Sequence, residues 1–259
     1  MTQRATIHDR LYGPIKRLRE VAQKVICAFS CGKDALATLH LVREHFDAKD
    51  VHGYFLRTVP GLSWNVQALT YARKRFGIEI SELPSPGAAV YLRNGTLRRR
   101  TARMFNLPKI GITQIQDYLR KKLDWPDAWI ATGEKANDSI VRRGMISKWG
   151  AVDEKHKRAY PCAFWSDHYV LHYIKQHKIP LTQDYNVFAG SLDFALEAEN
   201  LLPIRERFPD DYAKMLAYFP WLELEIKSYE RRPERQRKTK TPSPAQEHEP
   251  ASAAVGGVA

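Results

Sequence analysis

An apolar run followed at once by a short polar turn and a helical pattern limits the fold most strongly. The run is Val25–Phe29, and its length and β-branched residues are typical of a strand covered on both faces in a parallel sheet. After the turn Ser30–Asp34, apolar residues recur every three to four positions over Ala35–Phe46, which predicts a helix with one face on the sheet. The core therefore begins with a strand, a tight turn and a helix.

The same alternation continues along the chain. The pattern predicts strands at Val51–Leu56, Ile78–Glu82 and Asp127–Thr132, and helices within residues 1–23 and at Trp64–Phe76 and Ile112–Leu123. Strands that alternate with helices are typical of a parallel sheet with helices on both faces. The predicted fold class is therefore α/β, built on a twisted parallel sheet.

The C-terminal part differs in composition from the rest. From Arg205 onward the pattern is helical and aromatic, which predicts a helical extension that docks on the domain. Residues 231–259 are rich in Pro, Ala, Gly and basic side chains and poor in large apolar ones, so we expect a disordered tail. The predicted organisation is one domain over residues 1–230 and a basic tail over 231–259.

Charge and composition narrow the class of protein. Lys and Arg number 41 against 29 Asp and Glu, a formal charge of +12, which favours anionic partners such as nucleotides or nucleic acid. The sequence has no long apolar run and its first residues form no apolar leader, so we expect a cytoplasmic protein without a membrane partner. The three cysteines, Cys27, Cys31 and Cys162, form no C-x-x-C pair, which disfavours disulfides and cysteine metal sites.

The turn after the first strand carries the clearest chemistry. Backbone N–H groups at the start of a helix point outward together and form a cradle for phosphate. Gly32 lets an anion approach the backbone, the Ser30 hydroxyl can donate to a phosphate oxygen, Lys33 supplies a point charge, and Asp34 can hold hydrated Mg²⁺. A Walker A loop is excluded, since it needs Gly at position 27 and a hydroxyl at 34. The alternative is a plain glycine turn with Lys and Asp at the surface.

The segment VICAFSCGKDALATLHL resembles the PP-loop of the adenine-nucleotide α-hydrolase superfamily, in its phosphoadenosine phosphosulfate (PAPS) reductase-like branch. The usual pattern is Ser-Gly-Gly-Lys-Asp-Ser/Thr. Cys31 replaces its second residue and Ala35 its last. The resemblance implies a nucleotide held by Ser30, Cys31, Gly32, Lys33, Asp34, Ala35 and Gly133.

Two later segments resemble the same branch in the same order. Residues 133–143 are similar to its Gly-x-Arg-x-x-Glu-Ser-x-x-Arg stretch, with Lys135 and Asp138 in place of Arg and Glu. This similarity, together with the PP-loop, implies that Lys33, Asp34, Arg142 and Arg143 are the catalytic residues. The alternative for the arginines is a solvated pair on a helix.

The other segment, residues 161–174, is similar to the branch's Pro-Leu-x-x-Trp-Thr-x-x-Asp-Val-Trp-x-Tyr-Ile, and Ser166 is the expected N-cap of its helix. His168 and His172 lie four residues apart there, but solvated histidines are a better interpretation than metal ligands. The three similar segments together span residues 24–190.

Cysteine usage separates the members of this branch. The resemblance implies that its reductases use a C-terminal cysteine as nucleophile, and that some hold an iron–sulfur cluster. No cysteine follows Cys162 here, so we expect no such cluster, and a sulfonucleotide reductase using Cys31 is the alternative. Lys33 and Asp34 instead favour members that bind ATP with Mg²⁺ and cleave it between the α- and β-phosphates to adenylate an acceptor, for sulfur transfer or nucleic-acid modification.

The acceptor is predicted from charge. Five arginines, Arg93, Arg98, Arg99, Arg100 and Arg103, could grip the backbone of DNA or RNA, although a solvated helix face explains them equally well. Members of this kind often work with a partner subunit. A second alternative is a noncatalytic nucleic-acid-binding or assembly protein on a PP-loop scaffold, which the departures at Cys31 and Ala35 favour.

Overall fold

The computed structural model describes residues 6–88, 110–182, 185 and 198–232. The five arginines of residues 93–103 lie outside these ranges, and so does the tail beyond residue 232. The predictions for both segments therefore stay predictions.

Nine α-helices and six strands lie wholly within the described ranges. The helices are α1 (Ile7–Val21), α2 (Lys33–His45), α3 (Ser63–Phe76), α4 (Ile112–Lys122), α5 (Ile140–Trp149), α6 (Asp167–Gln176), α7 (Ala198–Arg207), α8 (Pro209–Tyr218) and α9 (Leu222–Glu230). The strands are β1 (Val25–Ala28), β2 (Val51–Arg57), β3 (Ile80–Pro84), β4 (Trp129–Ala131), β5 (Val152–Asp153) and β6 (Arg158–Ala159).

The strands form one sheet in the order β3-β2-β1-β4-β6-β5. All neighbours are parallel except β5, which runs antiparallel to β6. Strands β2 and β3 lie on one side of β1 and β4 lies on the other, so the strand order reverses between β1 and β4. In open sheets of this type, ligands bind beside the carboxyl ends of the strands at such a switch point. The predicted α/β fold is confirmed.

Two details of the sheet differ from the pattern. The strands β5 and β6 have two residues each, too few to give a periodic signal. Strand β3 begins at Ile80 and includes Pro84, where the pattern placed a strand from Ile78 to Glu82. Proline is tolerated there because β3 is an edge strand of the sheet.

Both faces of the central strand are covered. Val25 and Cys27 of β1 pack into the core cluster that contains the buried face of α2, whereas Ile26 packs into the cluster of α4 on the opposite face. Alternate residues of a strand point to opposite faces, so the continuous apolar run of β1 requires helices on both sides. Burial on both faces therefore explains why the apolar run of β1 is uninterrupted in the sequence.

The C-terminal helices build a second core at the end of β2. Residues of α7, α8 and α9 pack around Val59, Leu62 and Trp64, which lie at and after the β2–α3 connection. The backbone N–H and hydroxyl of Ser63, the first residue of α3, both donate to the buried carboxylate of Asp211 on α8. The predicted helical extension is confirmed, and it anchors to the β2–α3 connection.

No helix in the described ranges is both long enough and apolar enough to cross a bilayer.

Candidate functional site

The β1–α2 turn presents the start of α2 beside the carboxyl end of β1. Gly32 is the N-cap of the helix in extended conformation, and no described side chain caps this end. A helix start leaves its first N–H groups without partners inside the helix. Ser30 is exposed, whereas Cys31, Gly32 and Ala35 are buried. The predicted turn therefore offers backbone donors and the Ser30 hydroxyl to an anion.

Cys31 occupies an unusual backbone conformation in this turn. Its φ angle is +66°, in the left-handed region that favours glycine, and its side chain is packed in the main core. A glycine, the residue of the family pattern, would take this conformation without strain. Any residue with a Cβ atom, including cysteine, is therefore strained at this position.

Five charged side chains meet next to the turn, and we call them the charged cluster. They are Lys33, Asp34, Lys135, Asp138 and Asp167. The Lys33 ammonium lies 2.8 Å from Asp34 Oδ2 and 2.8 Å from Asp167 Oδ1. The Lys135 ammonium lies 2.7 Å from Asp34 Oδ1, 2.9 Å from Asp138 Oδ1 and 3.4 Å from Asp167 Oδ1. Two cations against three anions leave one excess negative charge.

The two lysines of the cluster differ in exposure. The side chain of Lys135 is 1% exposed, and that of Lys33 is 17% exposed. Burial disfavours both charges, but hydrogen bonds to the carboxylates outweigh it, so the pKa of each lysine is raised above its ordinary value. The Lys33 hydrogen bond in turn lowers the pKa of Asp167. All three groups therefore carry their charge at neutral pH.

The charged cluster forms because β1 and β4 are adjacent in the sheet, so the segments that follow them lie side by side. Gly133 follows β4, and a Cβ atom at this position would lie 2.8 Å from the Asp34 carbonyl carbon. The lack of a side chain lets the β4–α5 connection approach the first turn of α2, where Lys135 reaches Asp34. Asp138 Oδ2 also accepts from the Lys135 backbone N–H at 2.8 Å, which fixes the connection.

The third contributor is α6. Its N-cap is Ser166, as predicted, because the hydroxyl accepts from the Tyr169 N–H at 3.1 Å. Asp167 is consequently the first residue of α6, where a carboxylate is favourable to the helix dipole. The helix start thus positions Asp167 against Lys33, 134 residues away in sequence.

The predicted arginines are not brought into the charged cluster. Arg142 lies near Glu134, with Nη2 at 3.4 Å from Oε1, and its side chain is 42% exposed. Arg143 is exposed. In the described ranges neither arginine side chain forms a hydrogen bond or ion pair with the cluster, and their catalytic role stays a prediction.

Sequence reasoning missed three residues of the cluster as site residues. Lys135 and Asp138 replace the Arg and Glu of the family stretch, so the motif held a signal for both. Asp167 has no equivalent signal, since an aspartate after an N-cap serine is typical of any helix start.

Unsatisfied and exposed polar groups fit a phosphate ligand with its cation. The Thr132 hydroxyl, directly after β4, is buried and has no hydrogen-bond partner among the described residues. The carboxylates of Asp34 and Asp167 are 28% and 71% exposed. Mg²⁺ is usually bound by one or two carboxylates together with water and substrate phosphates, so this donor set fits it. Within the described ranges no three His, Cys, Asp or Glu side chains form a complete metal-binding group.

The cysteines lie in the interior. Cys27, Cys31 and Cys162 are all buried, and burial raises the pKa of Cys27 and of Cys162 to about 12. The Thr38 hydroxyl donates to Cys162 Sγ at 3.4 Å. His168 and His172 are both exposed on α6, as predicted for solvated histidines.

The family follows from the matched part of the sequence. A model of the phosphoadenosine phosphosulfate reductase domain matches residues 24–186. The chain belongs to this family. The resemblance seen in the motifs is thereby confirmed over the segment that contains β1, the charged cluster and α6.

Two solved structures are similar in fold. An NH3-dependent NAD synthetase from Campylobacter jejuni subsp. jejuni NCTC 11168, in complex with the nitrate ion, has a TM-score of 0.43 at 10% identity, covering 85% of this chain and 93% of its own. The U34-tRNA thiolase NcsA from Methanococcus maripaludis, with its [4Fe-4S] cluster, has a TM-score of 0.42 at 13% identity, covering 83% of this chain and 78% of its own. No curated protein matches the chain.

Proposed function

We propose that this PAPS reductase family chain binds ATP with Mg²⁺ at the β1–α2 turn and transfers the adenylyl group to an acceptor oxygen. The acceptor oxygen forms a bond to the α-phosphorus, the bond from that phosphorus to the bridging oxygen breaks, and pyrophosphate leaves with the electron pair. The acceptor loses its proton to water. The observation that carries the proposal is the start of α2, which no described side chain caps, with Lys33 at its first position.

Some residues of the site bind the nucleotide, and others hold those residues in place. The first N–H groups of α2 and the Lys33 ammonium bind phosphate oxygens, since Lys33 uses two of its three N–H donors on described carboxylates. Lys135 already serves three carboxylates and is buried, so it holds Asp34 in place without touching the nucleotide. The unpartnered Thr132 hydroxyl is a further ligand for the nucleotide.

The negative charge of the cluster explains the need for a divalent cation. Three aspartates and two lysines repel a polyphosphate on balance. Asp34 and Asp167 would hold Mg²⁺ from the exposed side of the cluster, and the ion neutralises phosphate charge when bound.

The reductase alternative receives no support from the cysteines. Covalent sulfur chemistry uses an accessible thiolate. Cys27 and Cys162 are buried with raised pKa values, and Cys31 is packed in the main core.

Calorimetry with ATP and Mg²⁺ tests the site. Lys33→Ala should weaken ATP binding about ten-fold or more, because a charge-assisted hydrogen bond is worth roughly 1.5–3 kcal/mol. Lys74→Ala, on the exposed side of α3, is the matched control and should leave the affinity unchanged. Equal affinities for the wild type and Lys33→Ala would remove the site assignment.

Product analysis tests the reaction. With ATP, Mg²⁺ and candidate acceptors, including nucleic acids and with partner proteins added, we expect AMP-linked acceptor or AMP together with pyrophosphate. ADP and phosphate would contradict cleavage between the α- and β-phosphates. Sulfite release from a sulfonucleotide with a thiol reductant, lost on Cys31→Ala, would identify the reductase instead.

A further inference from the structure

An exposed tryptophan at the end of α5 stands outside the site described above. Trp149 is 38% exposed, whereas Trp64, Trp129 and Trp165 are buried. Exposed aromatic rings on basic proteins are typical stacking platforms for unpaired bases. Whether Trp149 can bind nucleic acid therefore depends on the charged groups around its ring.

Cations surround the Trp149 ring. The ammonium groups of Lys148 and Lys155 lie 4.8 Å and 5.3 Å from its centroid, and the His156 ring meets it edge-on at 5.1 Å. We call Trp149, Lys148, Lys155 and His156 the α5 patch. Lys148 and Lys155 have no ion pair in the described part of the chain. Two cations are thus available to a polyanion.

The acidic residues near the patch are already engaged. Asp153 is buried and pairs with His156 at 2.7 Å, and Glu154 pairs with Arg17 at 2.6 Å. These pairs leave the lysines without a carboxylate partner among the described residues. The patch is therefore electropositive, as a phosphate backbone requires.

Helix α5 connects the patch with the charged cluster. The helix begins just after the connection that carries Lys135, and Arg142 and Trp149 are two turns apart on the same face, roughly 10 Å along the axis. Val152 pairs with Ala159, which pairs with Ala131 at the carboxyl end of β4. Val152 therefore lies level with the carboxyl end of β4, whereas Lys155 and His156 lie in the turn after β5, next to Lys157, which pairs with Asp127 just before β4.

We propose that the α5 patch binds a single strand of nucleic acid, with one base displacing a lysine ammonium to stack on Trp149 and phosphates held by Lys148 and Lys155. A single strand fits better than a duplex, because only an unstacked base offers its face to an indole. The proposal rests on the proposed function in one respect: the bound strand would supply the acceptor oxygen. Binding itself requires no ATP.

Fluorescence anisotropy with short labelled single-stranded RNA and DNA, without ATP, tests the patch in the full-length protein. Trp149→Ala should weaken binding about five-fold or more, whereas Trp149→Phe, which keeps a flat ring, should restore most of the affinity. Lys148→Gln with Lys155→Gln should weaken binding and reduce the salt dependence by about two released counterions. The RNA and DNA arms show which strand is preferred.

A matched control exists on α4. Tyr118 is 53% exposed and lies beside Lys121 and Lys122, near the amino end of β4. Tyr118→Ala, and Lys121→Gln with Lys122→Gln, remove the same kinds of group and should change affinity less than two-fold. Equal losses in both sets, unchanged binding in Trp149→Ala, or preference for duplex or for polyglutamate would overturn the proposal. Loss of ATP binding alone, with strand binding intact, would count against the proposed function only.

Discussion

Lys135→Met removes the buried cation of the charged cluster and tests the role assigned to it. The substitution keeps an unbranched side chain. It removes the ammonium group of Lys135, the only cation that pairs with Asp138 among the described residues. Asp34 and Asp167 lose one of their two lysines. The expected result is a large loss of stability, larger than for the same change at Lys33.

The size of the loss follows from burial. Removing one partner of a buried ion pair costs about 3–5 kcal/mol. Lys135 is 1% exposed, but the carboxylates of Asp34 and Asp138 are 28% and 24% exposed and remain partly hydrated, so the lower end applies. A loss of roughly 3 kcal/mol lowers the Tm of a chain of this size by roughly 6–12 °C. Lys33→Met should cost about 1 kcal/mol, because its two carboxylates keep Lys135.

The pH of the assay is set by the direction of the pKa shifts. The pKa of Lys135 is raised by folding, so its contribution is complete below about pH 10 and is lost as the pH rises further. The pKa of Asp167 is lowered, so its contribution is complete above about pH 4 and is lost as the pH falls. Urea and thermal unfolding at about pH 7.5 therefore measure the full effect.

Two results would refute this reasoning. One is a loss for Lys135→Met no larger than that for Lys33→Met; the other is a loss below about 1 kcal/mol. As a further check, adding Asp138→Asn to Lys135→Met should recover part of the stability, since an amide needs no counter-charge.

Three other substitutions test further parts of the structure. Gly133→Ala should lower the free energy of unfolding in urea by roughly 1–3 kcal/mol, because its Cβ would meet the backbone of α2. The control Gly144→Ala on α5, which has open space around it, should raise that free energy by up to about 1 kcal/mol. Equal effects of the two changes would contradict the close approach at Gly133. Burial, with a contribution from His177, lowers the pKa of His40 to about 4, so stability should fall as the pH drops from about 6.5 towards 4, and His40→Gln should flatten this dependence. Thr132→Val should leave the free protein equally or more stable yet weaken ATP binding in calorimetry; unchanged affinity would remove the hydroxyl from the site.

Local patterns predicted the parts of the fold that depend on local physics. The run Val25–Phe29 gave a strand buried on both faces, and Gly77 ends α3 in a left-handed conformation, as expected for a helix followed by glycine. Strands β5 and β6 escaped prediction because two residues carry no period. The order of strands in the sheet is a property of long-range pairing, which periodicity does not contain.

The site shows the same division between local and distant information. The β1–α2 turn with Lys33 and Asp34 was predicted from contiguous residues. Asp167 reaches Lys33 only because α6 packs beside α2, and no spacing within one segment could reveal that contact.

Residue type alone does not separate the roles of the cations. The second family stretch directs attention to Arg142 and Arg143, whose catalytic role stays a prediction. In the structure, burial and counter-ions separate the roles: Lys33 keeps one N–H donor free of described partners, whereas all three donors of Lys135 face carboxylates. A lysine whose donors are used within the protein stabilises the site, and a lysine with a donor to spare can bind the ligand. The position in a motif therefore predicts where a cation lies, and the partners that the fold supplies determine what it does.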